Sequence, residues 1–318
     1  MPASQDVQAG LFVSSPAYTQ VTGQRLLGSG GIIQPTLATA VFDHVNLHGT
    51  WPHGAWRGSV IGGGASAVYP VQGGGYHRAG GRFTVGGSGD IAPAVPGAGD
   101  PGHTIEHSLV GAFAWLIAMV VVGAMFITAE YRRGLIRTTF AAAPGRERVL
   151  AAKAAVVGSV TFVAGLIGAA PVIPVGASLL RSHGNYVFPM SALTEVRLVA
   201  GTAALLAVTA VLALAVGTIL RHSAGAITAV ITLVVVTYFF SAALPVLPTG
   251  AADWLLRVTP AAGFAIQQYV PAYPQVANAY TPQHGYFPLP PWAGFGVLCL
   301  WAAIALCLAT VLLRRRDA

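Results

Sequence analysis

The sequence predicts a polytopic α-helical membrane protein of about five transmembrane helices, preceded by a small β-rich region, and three observations carry that prediction. Apolar residues fill 54% of the 318 positions and charged residues only 8%, a balance foreign to ordinary soluble domains. Mean hydropathy is strongly positive, at +0.66. Five separate runs of more than twenty residues carry no charge, and at 1.5 Å per residue each is long enough for the ~30 Å hydrocarbon core of a bilayer.

Residues 1–105 read differently from the rest. Short apolar runs such as Gly10-Leu11-Phe12-Val13 and Gly81-Arg82-Phe83-Thr84-Val85 alternate with Gly, Ser, Pro and Asn clusters, the pattern of short strands and turns. The glycine-rich stretches Gly73-Gly74-Gly75 and Gly86-Gly87-Ser88-Gly89-Asp90 are expected to be loops, and Pro93, Pro96 and Pro101 to form a linker. This outer region and the transmembrane domain, residues 106–318, are the two expected domains.

The uncharged runs place the spans at about 108–128, 154–180, 198–220, 223–247 and 292–313. Pro171 and Pro174 are expected to kink or fray the end of the second. Between the last two spans, Thr249 to Pro291 mixes prolines with Trp254, Phe264, Tyr269 and Tyr273. Asp253 to Val270 reads as one or two short interfacial or re-entrant helices broken at Pro260, capping the mouth of the bundle.

Orientation follows from the basic residues. Arg132, Arg133, Arg137, Arg146, Arg148, Lys153, Arg221 and Arg314 to Arg316 lie in connections on one side, ten in all, against Arg181, Arg197 and Arg257 on the other. Positive residues stay in the cytoplasm, which puts the C-terminus inside and residues 1–105 outside. The net charge of +7 is therefore orienting charge rather than the footprint of a nucleic-acid binder. Met1 is followed by no basic and apolar leader pattern. The two cysteines, Cys299 and Cys307, sit eight residues apart in one span, about 12 Å along a helix and too far for a disulfide.

The most informative segment joins the first two spans, Glu130-Tyr131-Arg132-Arg133-Gly134-Leu135-Ile136-Arg137-Thr138-Thr139, then Pro144-Gly145-Arg146-Glu147-Arg148 and Val149-Leu150-Ala151-Ala152-Lys153. Gly134 permits a sharp turn, Leu135 to Ala143 suits about two helical turns, and Pro144-Gly145 ends them. From charge alone this is either a short helix that docks in a groove of a soluble partner or an orienting loop whose arginines bind lipid phosphates.

The ordered pattern Glu-Tyr-Arg-x-Gly-x-Ile-Arg-x-Thr, with the Pro-x-Arg break and Val-Leu-Ala-Ala-Lys, resembles permeases of the ABC-2 type exporter family. Arg221-His222-Ser223-Ala224-Gly225-Ala226 resembles that family's tight turn between middle helices, and Leu312 to Ala318 its C-terminus in actinobacterial members. The likeness covers roughly residues 105–318. It implies that Glu130, Tyr131, Arg132, Arg133, Gly134, Arg137, Thr138, Thr139, Pro144, Arg146, Arg148 and Lys153 face a separate cytoplasmic ATP-binding subunit. It also implies a homo- or heterodimer of permease halves and efflux across the bacterial plasma membrane, with ATP and Mg held by the partner.

The residues themselves agree with a non-enzymatic, cofactor-free chain. No Gly-x-x-x-x-Gly-Lys-Ser/Thr loop occurs. The interiors of the five uncharged runs lack Asp, Glu, Lys, Arg and His for proton or sodium coupling, which also suits an apolar or amphiphilic cargo. Small and hydroxyl residues such as Ser159, Gly165, Thr202 and Thr209 are expected to serve helix packing.

Gln8 to Pro16 resembles the closing strand of a concanavalin- or laminin-G-like jelly roll, which some permeases carry outside the membrane. Since the family usually has six spans, the likeness implies a first helix upstream of Met1. His44, His48, His53, His77, His103 and His107 match no familiar zinc spacing and no cysteine accompanies them. Two other functional classes remain open on residues alone: a membrane sensor or accessory subunit without transport, and a surface-binding module that the spans merely anchor.

Overall fold

The computed structural model describes residues 10–15, 18–25, 28–34, 36–46, 56–58, 74–89, 111–134, 145–183, 187–188, 190–242, 249–273, 280 and 285–316. The chain divides into two compact units, residues 1–93 and 94–318.

The first unit is β-rich. Strands β1 (Tyr18–Arg25) and β2 (Gly28–Gln34) form an antiparallel pair, while β3 (Ala38–Phe42), β4 (Gly75–Ala79) and β5 (Arg82–Gly87) form an antiparallel sheet in the order β3-β5-β4. Gly80 and Gly81, at φ +56° and +86°, make the two-residue turn between β4 and β5, the positive-φ pair that a twisted hairpin favours. Phe83 is the buried anchor of this sheet, with the Trp56 ring 4.9 Å from it and the Arg78 guanidinium 5.2 Å over its face.

Two expectations for this unit are corrected. Gly86 and Gly87 are strand residues rather than loop, paired with Thr39 and Ala38. A side chain at Gly87 would stand 1.8 Å from the Val13 carbonyl oxygen, so glycine is there to admit a neighbouring backbone. Conversely, Gly10 to Val13 is irregular, and Ser15 alone bridges, to Gly89.

The second unit is a helical bundle. Its elements are α1 (Gly111–Arg133), α2 (Arg146–Ser182), α3 (Ala192–Leu220), α4 (Ser223–Ile231), a π-helical turn (Thr232–Val236), α5 (Thr237–Ala242), α6 (Thr249–Val258), a 3-10 helix (Pro260–Gln267) and α7 (Pro291–Arg316). Among the described residues five helices are long and apolar enough to cross a membrane, the fourth running from Ser223 to Ser241 through the π-helical turn. The chain is a polytopic helical membrane protein.

Helix α3 is the axis, with 67% of its apolar window buried against 22 to 33% for the other four spans. Close packing onto it depends on small residues. A Cβ at Gly123 of α1 would lie 2.3 Å from the Ala210 carbonyl, and one at Gly165 of α2 would lie 2.8 Å from the Ala203 Cα, so both helices approach to backbone contact, as small residues permit in lipid. Hydroxyls on the buried faces fold back on their own helices: Thr161 donates to Val157 O at 2.6 Å and Thr209 to Leu205 O at 2.7 Å. They are thus satisfied without water.

Three features depart from the uncharged-run boundaries. Helix α3 begins six residues earlier than the charge pattern suggests, capped by Ser191, whose hydroxyl accepts the Thr194 amide at 3.2 Å. Helix α2 runs unbroken through Pro171 and Pro174 to Ser182, with both prolines exposed on the side away from α3. The fourth span widens into the π-helical turn, where the Thr232 carbonyl accepts both the amide of Thr237, five positions on, and its hydroxyl at 3.1 Å.

Helix α6 and the 3-10 helix form a hairpin broken at Thr259-Pro260, where the sequence places the break. The Trp301 indole donates to the Val258 carbonyl at 2.8 Å. Trp301 lies ten positions into α7, about 15 Å along it, so the hairpin re-enters the bundle rather than lying across its mouth. Its return arm ends in a polar knot: Gln267 donates to Thr202 at 3.2 Å, Arg197 to the Gln268 carbonyl, and the Phe287 amide to Gln268 Oε1 at 3.1 Å. Beside it, the Phe113, Tyr238, Phe239 and Phe264 rings cluster, with centroids 4.5 to 5.8 Å apart.

Candidate functional site

The site lies where α1 ends and α2 begins. Helix α1 carries Glu130 to Arg133 in its last turn, with Arg132 and Arg133 placed favourably against the helix dipole. Gly134 then turns the chain at φ +69°, its amide donating to the Tyr131 carbonyl at 3.3 Å. Such a left-handed turn is cheap only for glycine. The chain re-enters at Gly145, the N-cap of α2.

Glu130 and Lys153 face one another across the gap between these helices and form an ion pair and hydrogen bond. The Lys153 side chain is 12% exposed and that of Glu130 25%. Lys153 Nζ also lies 5.6 Å over the ring of Phe126, one helical turn from Glu130 on the same face of α1. The second Glu130 oxygen is buried and has no hydrogen-bond partner among the described residues, so among them Lys153 is what stabilises the carboxylate.

A second clasp holds the other side of the α1 terminus. Between α3 and α4 the chain turns within two residues, Arg221 and His222. Arg221 adopts φ +55°, its amide donating to Gly217 O at 2.9 Å, and His222 Nδ1 accepts the Gly225 amide at 3.2 Å. That geometry directs the Arg221 guanidinium over the Tyr131 ring at 5.2 Å, a cation–π contact. Further round, Arg314 at the end of α7 pairs with Glu147 in the first turn of α2.

The sequence-assigned residues therefore fall into three groups. Glu130, Tyr131 and Lys153 turn inward and knit α1 to α2 and to the α3–α4 turn, whereas Arg132, Arg133, Gly134 and Arg148 are exposed. Arg137, Thr138, Thr139 and Pro144 lie outside the described residues, as does the short helix expected over Leu135 to Ala143, and of Arg146 only the backbone, in α2, is described. Sequence reasoning missed Phe126 and the partnering role of Arg221. The spacing of Phe126 four residues before Glu130 was a usable signal for the first; nothing local announced the second.

The arrangement sets the Glu130–Lys153 ion pair beside exposed Arg132, Arg133 and Arg148. Among the described residues no group of three or more His, Cys, Asp or Glu side chains comes together to hold a metal ion.

The sequence matches the family described as ABC-2 family transporter protein over residues 14–318, a longer stretch than the motifs alone mark. No curated protein and no solved structure matches the chain.

Proposed function

The chain belongs to the ABC-2 transporter family, and from that membership we propose that it is the membrane-spanning permease half of an ATP-driven exporter whose ATP is hydrolysed by a separate subunit. The observation that carries this reading is the Glu130–Lys153 clasp beneath the exposed Arg132, Arg133 and Arg148. A lever needs a tied root and an accessible surface, and the Glu130–Lys153 pair beside the exposed arginines supports that role. The excess of basic residues around it, ten against three in the short connections, supports a cytoplasmic location for this end, and there the ATP-binding subunit docks on the segment from Glu130 to Lys153.

In this scheme the partner supplies the nucleotide and Mg chemistry. Closure of the ATP-binding subunits pushes the segment, and the clasp converts that push into a joint tilt of α1 and α2 against α3, switching the bundle between inward- and outward-facing states. Two permease halves, identical or related, enclose the path. The cargo is apolar or amphiphilic, since the mid-membrane portions of the five spans carry no Asp, Glu, Lys, Arg or His.

Affinity purification of the full chain from its own membranes tests this. The expected result is co-purification of a cytoplasmic protein with a phosphate-cradling Gly-Lys-Ser/Thr loop, and reconstituted vesicles in which Glu130→Gln lowers transport per ATP hydrolysed. A chain that recovers no ATPase from those membranes is instead a sensor or accessory subunit.

A further inference from the structure

We propose that Trp254 and Arg257, on the outward face of α6, hold the phosphate of a phospholipid drawn down beside the re-entrant hairpin. The face itself sets the surroundings. Leu256 is 1% exposed and anchors α6 on the bundle, while Ala251, Trp254, Leu255, Arg257 and Val258 are exposed. Arg257 is thus the one charge on a face otherwise made of apolar side chains, and such a face suits lipid rather than water.

Depth follows from the seat of the hairpin on α7. Pro291 and Arg314 are 23 positions apart on that helix, about 35 Å, so a ~30 Å hydrocarbon layer fits between them with little to spare. The Val258 carbonyl, next to Arg257, accepts the indole of Trp301. Helical side chains lean toward the N-terminus of their own helix, so the indole meets this carbonyl roughly 10 Å inside Pro291. The return arm agrees, with Gly263 in contact with Leu298 and Leu205. Arg257 therefore leaves the backbone inside the hydrocarbon layer, where an unpaired charge is costly. Its stem leans back toward Thr249 and carries the guanidinium up beside Trp254, three positions earlier on the same face.

Both side chains reach that level with their donors free. Arg257 carries five N–H donors and a permanent charge, and Trp254 adds one more donor. Among the described residues neither side chain has a hydrogen-bond or ion-pair partner, whereas Arg197, at the same end of the bundle, donates to the Gln268 carbonyl. Asp253, four positions before Arg257, is half-buried and does not pair with it. A phosphate answers both needs, since the guanidinium fork binds it bidentately and leaves an oxygen for the indole. A soluble anion has no favourable route onto an apolar face, so the phosphate arrives on a lipid whose chains lie along Leu255 and Val258. The inference requires only that the chain spans a bilayer, and it stands apart from any ATP-binding partner.

The test uses the full chain in phosphatidylcholine nanodiscs doped with phosphatidylglycerol that bears a diazirine in its headgroup, without nucleotide. After irradiation, adducts are mapped by peptide mass spectrometry. Residues 249–258 are expected to be labelled severalfold more densely than residues 291–296, where Trp292 is 66% exposed but has no arginine beside it. Arg257→Gln should bring the two regions level, Trp254→Phe should lower the excess in part, and Arg257→Lys, which keeps the charge without the fork, should retain some of it. Arg181→Gln, at an exposed arginine near the end of α2, should change nothing. Labelling of 249–258 no higher than of 291–296 overturns the proposal, as does labelling unmoved by Arg257→Gln, the result that neutralisation by Asp253 gives. Displacement of the adducts by excess glycerol 3-phosphate also overturns it, because the site would then take a soluble phosphate.

Discussion

Glu130 and Lys153, 23 positions apart in the chain, are paired across the α1–α2 gap, and the lysine is simultaneously stacked on Phe126. The two helices are thereby joined near the ends that flank residues 135–144. The consequences of cutting that joint are unequal. Lys153→Met leaves a carboxylate with no other hydrogen-bond donor among the described residues, whereas Glu130→Gln leaves an ammonium that keeps the Phe126 face. Breaking a fully buried pair costs about 3–5 kcal/mol; the partial exposure here lowers that to about 2 kcal/mol for Lys153→Met and about 1 kcal/mol for Glu130→Gln. Unfolding by sodium dodecyl sulfate in mixed micelles reads both, and the exchanged pair Glu130→Lys with Lys153→Glu should recover about half the loss, a double-mutant coupling of about 1–2 kcal/mol.

Arg221 makes a sharper prediction because backbone and side chain pull in opposite directions. Its φ of +55° is a left-handed conformation costing about 1–2 kcal/mol for a residue with a Cβ, while its guanidinium over Tyr131 returns about 0.5–1 kcal/mol. Arg221→Gly loses the ring contact but relieves the backbone, so it should be nearly neutral. Arg221→Ala keeps the strain and loses the contact, and should be less stable than Arg221→Gly by about 1 kcal/mol in the same unfolding assay.

The approach of α1 to α3 sets a third expectation. Gly123→Leu forces a side chain into the Ala210 carbonyl and should cost about 1–3 kcal/mol by overpacking, visible as reduced detergent-resistant folding and faster amide exchange in α1. Gly296→Ala on α7 meets nothing within 4 Å and should leave stability within about 0.5 kcal/mol of the parent.

The re-entrant hairpin offers a fourth. Trp301→Phe preserves the ring but removes the donor to the Val258 carbonyl, at a cost of about 0.6–1 kcal/mol. Amide exchange should quicken across α6 and the 3-10 helix while α2 is unchanged. Equal effects in both would mean that Trp301 stabilises the whole bundle rather than the hairpin.

The physics that made parts of this fold legible also explains what stayed hidden. Five spans could be read because lipid demands long uncharged runs, and the Arg221-His222 turn and the Pro260 break because each is set by residues within a few positions. The early start of α3 was hidden because charge counting stops at Arg197, while the helix reaches back to its Ser191 cap and Arg197 is accommodated by the Gln268 carbonyl 71 positions away. Gly86 and Gly87 look like a loop in composition and are strand because of what packs on them. At the site, the basic rim was readable from charge, but the pairing of Glu130 with Lys153 depends on the register of two antiparallel helices, which no local pattern encodes.

The placement of the α1–α2 root in the cytoplasm is the premise on which an ATP-driven lever rests, and side-specific labelling tests it most directly. In a background with Cys299 and Cys307 replaced by alanine, cysteines are placed singly at Arg133, exposed at the end of α1, and at Leu193, 84% exposed in the first turn of α3 at the opposite end. A membrane-impermeant maleimide applied to intact cells should label Leu193→Cys at once and Arg133→Cys only after permeabilisation. Labelling of Arg133→Cys in intact cells, with Leu193→Cys protected, would place the root outside and contradict a cytoplasmic ATPase acting on it.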